Sequence, residues 1–131
     1  MIITFGPSGI SSHPDHIAIH KASVLAFKAY AYGIPEPEAP ILIYPAIPSD
    51  LADEYGLKLS DDEKRPDIVV DIEETIDIKI QGLKNYRSQE DAQEFAARLS
   101  ETPDPTEIFA VGPASTQDWE SSEVISYLRS L

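Results

Sequence analysis

Residues 9–20, GISSHPDHIAIH, constrain the fold more than any other stretch. They follow a short β-branched and aromatic run, Ile2, Ile3, Thr4 and Phe5, which Gly6 and Pro7 stop, so the run reads as a buried strand feeding a loop. Pro14 suits the first turn of a helix, because its missing N–H would have no intrahelical partner there. Ser12 or His13 is then the cap, and the helix body runs from Ile17. All three histidines of the chain, His13, His16 and His20, fall at this strand-to-helix junction with Asp15. In an open α/β sheet such junctions are where ligands bind, since loops at strand ends and helix N-termini face the same crevice.

The other elements follow from periodicity and punctuation. Residues 14–32 read as a helix, apolar on nearly every side and ended by Gly33 and Pro35, which expects cover on several faces. Residues 35–40 form a turn-rich connector, 41–44 a second strand, and 45–66 a polar, acidic excursion with one helical turn at 51–55, expected as a mobile surface loop. Ile68, Val69 and Val70 make a third strand; Ile76, Ile80 and Leu83 then recur at helical spacing toward Tyr86. Ser88 and Asp91 match a capping pair, opening a helix over 89–99 that buries Ala92, Phe95, Ala96 and Leu99. A Pro-bearing loop at 102–106, a strand at 108–111 closed by Gly112 and Pro113, and a helix over 118–131 presenting Val124, Ile125 and Leu128 complete the chain. No repeat occurs.

Composition narrows the function classes. A chain of 131 residues that is 42% hydrophobic suits one compact domain spanning 1–131. Its formal charge of −13 would repel phosphate backbones and anionic lipid, so neither nucleic acid nor membrane is an expected partner. With no cysteine, disulfides, thiolate metal sites and cysteine nucleophiles are excluded. The apolar runs are short, and residues 1–5 lack the basic lead and apolar core of a signal peptide, so a soluble, cytoplasmic protein is expected.

A catalytic zinc commonly takes three protein ligands and leaves one position for water. His16 and His20, four apart on one helix face, are able to ligate together, whereas the plainer reading has His20 packing as a neutral side chain. Asp15 favours the helix dipole whatever else it does. A partly exposed His16 at a helix start carries little packing, and its loss is expected to cost within about 1 kcal/mol.

Thr4-Phe5-Gly6-Pro7-Ser8-Gly9-Ile10, followed by His13-Pro14-Asp15-His16-Ile17-Ala18-Ile19-His20 and Ala26-Phe27, resembles the second signature of the LmbE/PIG-L family of zinc-dependent de-N-acetylases. Lys79, Leu83 and Tyr86-Arg87-Ser88-Gln89 resemble a later Lys, Leu and His-Arg-Ser-Gln block of that family, and Glu107-Ile108-Phe109 its closing Glu-x-Phe strand. The resemblance implies an α/β three-layer sandwich with a mostly parallel, Rossmann-like sheet. It implies His16 as a zinc ligand, His13 as the group that stabilises an oxyanion or protonates a leaving amine, and Asp15 as the residue that orients His13. The substrate class it implies is a small N-acetylated sugar.

The departures are as informative. The family's first signature, Ala-His-Pro-Asp-Asp-Glu, supplies two more zinc ligands and the water-activating Asp, and it does not occur here. Tyr86 stands where the later block has His, and Ser12 where the family usually has Gly. The chain thus resembles the C-terminal part of the domain and is expected to be inactive alone, with zinc held weakly. Three readings follow: a piece of a zinc-dependent amide hydrolase completed by another segment or chain, a non-catalytic binding or interaction module, and an orphan truncated folding unit. The strand at 2–5 and the apolar helix, covered in the family by preceding elements, lead to an expected homo-oligomer, a dimer foremost.

Overall fold

The computed structural model describes residues 1–34, 40–112, 115 and 119–130. Four strands, β1 (Ile2–Ile3), β2 (Leu42–Pro45), β3 (Ile68–Asp71) and β4 (Thr106–Val111), form one sheet in the order β1-β2-β4-β3. β1 runs parallel to β2, with Ile2 opposite Leu42, whereas β2 runs antiparallel to β4, with Ile43 opposite Val111 and Tyr44 opposite Ala110. The sheet is therefore mixed, not mostly parallel. Apolar runs such as Leu42-Ile43-Tyr44 fit either direction, and the direction is decided by how the chain returns.

The helices are α1 (Gly9–Ser12), α2 (Pro14–Ala31), α3 (Ser49–Glu54), α4 (Ile76–Lys84), α5 (Glu90–Glu101) and α6 (Glu123–Leu128). No helix among the described residues is long and apolar enough to cross a membrane. The chain divides into two compact units, one of Met1–Val69 with Ile108–Leu131 and the other of Val70–Glu107.

In the first unit the core gathers Phe27 of α2, Leu42, Ile43 and Tyr44 of β2, and Ile125 of α6, all fully buried. β1 is shorter than its sequence run and is not buried on both faces: Ile3 is 55% exposed, and Phe5 already belongs to the loop. The excursion 45–66 is not a loose loop. Ala46, Ala52 and Glu63 are buried within it, α3 and a 3-10 turn at Asp61–Lys64 shape it, and Ile47 N–H donates to Glu63 O. The C-terminal segment begins with a 3-10 turn at Trp119–Ser121 before α6, which buries Ile125 and leaves Val124 exposed. The expectations for residues 35–39, Pro113, Asp118 and Leu131 lie outside the described residues.

In the second unit α4 and α5 pack against each other. Ala96 and Leu99 are buried as expected, Ala92 is half-buried, and Phe95 stays exposed beneath the Arg98 guanidinium, 5.1 Å from its ring centroid. The Ser88–Asp91 pair does not cap α5; Gln89 takes the cap position without a side-chain bond, and Asp91 accepts from Ala92 N–H instead. Gln93 Nε2 lies within hydrogen-bond distance of the Leu83, Lys84 and Tyr86 carbonyls, which ties α5 to the end of α4 and the turn after it. Lys79 and Glu107, quoted above from two separate blocks, form an ion pair at 2.7 Å.

Candidate functional site

The loop from Gly6 to Ser12 sets the site. Gly9 takes φ +60°, and a Cβ there would lie 2.9 Å from Ile17 Cγ1 and 3.1 Å from His16 Cβ, so only glycine lets the loop close onto α2. Ile10 (φ 61°) and Ser12 (φ 62°) also occupy the left-handed region, which costs a non-glycine residue on the order of 1 kcal/mol or more. The loop persists because it is tied down elsewhere.

Its anchor is Glu63, a carboxylate only 2% exposed and with no ion pair among the described residues. Ser8 donates to it through its backbone N–H (2.9 Å) and hydroxyl (2.6 Å), and Ser60 donates in the same two ways at 3.0 and 2.8 Å. Burial by itself would raise the Glu63 pKa, but these hydrogen bonds outweigh it and hold the carboxyl below its usual range. Gly6 lies directly against the same carboxylate, and any side chain at that position would collide with it. Sequence reasoning missed Glu63, although Ser60-Asp61-Asp62-Glu63 spells the capping box that the structure forms.

His13 is the N-cap of α2, which settles the choice between it and Ser12. Its Nδ1 accepts from Asp15 N–H at 3.2 Å, so in the neutral ring Nε2 carries the hydrogen and is a donor. His16 has the opposite tautomer. Its Nδ1 lies 3.2 Å from Gly9 O, and a carbonyl only accepts, so Nδ1 carries the hydrogen and Nε2 keeps a lone pair. The two rings are 4.7 Å apart, and His16 lies flat on Phe5 with centroids 3.8 Å apart. His20 follows the pattern of His16: Nδ1 donates to Phe5 O at 2.7 Å, and the ring meets the edge of Tyr44 at 6.4 Å.

The structure thus brings His13, His16 and His20 to one end of α2 and splits them into one donor and two lone-pair nitrogens. An imidazole whose far N–H is held by a backbone carbonyl has the arrangement that metal-ligating histidines adopt. Asp15 meets His13 through its backbone N–H, and its exposed carboxylate makes no hydrogen bond or ion pair among the described residues. Among the described residues, no three His, Cys, Asp or Glu groups converge as a metal site. Beside His20, the Tyr44 hydroxyl is wholly buried and has no hydrogen-bond partner among the described residues. Its burial, with Asp62 and Glu63 nearby, pushes its pKa up to about 12.

No family model, no curated protein and no solved structure matches this chain.

Proposed function

We propose that this chain is a partial LmbE/PIG-L-like domain carrying one side of an amide-hydrolase site of the N-deacetylase type, incomplete when alone. The observation that carries the reading is the opposed tautomers of His13 and His16, 4.7 Å apart at the start of α2. An exposed Nε2–H on His13 suits donation to an oxyanion or a leaving amine, and a lone pair on His16 Nε2 suits a metal. Among the described residues no three His, Cys, Asp or Glu groups converge, so the donor set falls short of the three ligands a catalytic zinc takes. The finer architecture that goes with this reading is the three-layer sandwich, its substrate class a small N-acetylated sugar and its compartment the cytoplasm, supported by the acidic, cysteine-free sequence.

Zinc titration of the chain and of two variants tests the proposal. Binding is expected at about micromolar affinity or weaker, lost in His16→Ala and kept in His13→Ala. Equimolar zinc retained through chelator dialysis, or acetate release from N-acetylglucosamine, would overturn the incomplete-site reading. Unchanged zinc affinity in His16→Ala would remove His16 as the ligand.

A further inference from the structure

Helix α2 has two faces of different kind. His16, Ile17, Ser23, Val24 and Phe27 lie on one side, half-buried or buried in the first unit. On the other side Ala18, Ile19, Ala22, Leu25, Ala29 and Tyr30 are all exposed, with Ala26 among them and no charge in the set. Leu25 is 71% exposed, Tyr30 67% and Ile19 49%. Such a face on an isolated chain leaves several hundred Å² of apolar surface in water, the size of patch that marks an interaction site.

We propose that this face packs against the same face of a second copy, antiparallel, about a two-fold axis level with Val24. The pattern of sizes is self-complementary in that register. Residues equidistant from position 24 share a layer, so Ile19 faces the partner's Ala29, Ala22 the partner's Ala26, and Ala18 the level of the partner's Tyr30. Large residues meet small ones in each layer, and the alanines allow the helix axes to approach to about 8 Å. The two Leu25 side chains meet across the axis, with Cα atoms about 6 Å apart by helix geometry. Val24, at the level of the axis, points to the buried side and obstructs nothing.

Area selects a second copy as the occupant, and charge bears on where two copies meet. An 18-residue helix is about 27 Å long, and with its exposed aromatic and aliphatic side chains it provides a footprint approaching the roughly 800 Å² per partner of a standard interface. Two chains of charge −13 repel each other over most of their surfaces. Within α2, however, Asp15 is the one acidic residue, and Lys21 and Lys28 flank the apolar stripe, so few carboxylates of the two copies meet here. Pairing through the sheet edge is a poorer route, because β1 holds two residues and offers a short ladder.

Sedimentation equilibrium at micromolar concentration in low and moderate salt tests the dimer, together with three variants. The wild-type chain is expected to dimerise, more tightly in moderate salt because screening weakens the global repulsion. Leu25→Glu should weaken association at least tenfold while its circular dichroism stays unchanged. Since the chain has no cysteine, Leu25→Cys should oxidise to a disulfide-linked dimer and Ala29→Cys should not, its sulfurs lying too far apart. A monomeric wild type in both salts, or a dimer unaffected in a folded Leu25→Glu, would overturn the proposal. Cross-linking of Ala29→Cys as readily as Leu25→Cys would overturn the register.

Discussion

Glu63 and Ser8, 55 positions apart, are joined by two hydrogen bonds at 2.9 and 2.6 Å, and this pair ties the excursion after β2 to the loop that presents His13 and His16. Its consequence is a pH dependence. The Glu63 carboxyl titrates below its usual range in the folded chain, so its stabilising contribution is present above the unfolded glutamate pKa and is lost as pH falls through the lower folded value. Urea unfolding from about pH 7 to about pH 3 should show wild type losing stability at the acidic end, with that part of the slope absent in Glu63→Gln. At neutral pH the variant should cost about 2 kcal/mol, because a charged acceptor for four donors becomes a neutral one.

Ser12 sits at φ 62°, where glycine is at home and serine is strained. Ser12→Gly should raise stability by about 0.5 to 1 kcal/mol, the relief of the left-handed backbone exceeding the extra freedom glycine has when unfolded. Thermal unfolding measures it, and a fall in Tm would show that the Ser12 side chain holds the loop in some way its exposure hides.

Removing the Tyr44 hydroxyl deletes a buried group that has no partner among the described residues. Tyr44→Phe should therefore be neutral or stabilising by about 1 kcal/mol, since the ring packing stays and the desolvated hydroxyl goes. A loss above about 1 kcal/mol in denaturant unfolding would mean that the hydroxyl is satisfied in solution.

His16 is worth more to the fold than a helix-start histidine need be. It stacks on Phe5 at 3.8 Å and donates to Gly9 O, so His16→Ala should cost about 2 kcal/mol, against a smaller cost for the exposed His13→Ala. Paired denaturation curves decide the order, and equal costs would imply that the stacked ring contributes no packing.

What the sequence by itself determined is local. Pro14 behind a capping residue, the Gly and Pro stops around the strand runs, and the 3.6-residue spacing of Ala96 and Leu99 are short-range signals, and α2, α5 and the cores of β2 and β3 formed where those signals lay. The gathering of the three histidines was equally legible, because one helix start holds them all. Only the tertiary structure decided which polar residue was worth burying: Glu63 ends the acidic run Asp61-Asp62-Glu63, and nothing within a few positions of it reveals that Ser8 will supply half of its donors. It also decided strand direction, since Ile43 pairs with Ile3 of a parallel β1 on one side and with Val111 of an antiparallel β4 on the other. The tautomer of His13 is a local N-cap contact with Asp15 N–H, but that of His16 was out of reach for the same reason. It is set by Gly9 O, which the strained Gly9–Ser12 turn brings to the ring nitrogen, and that depends on a loop held across 55 positions rather than on the motif itself.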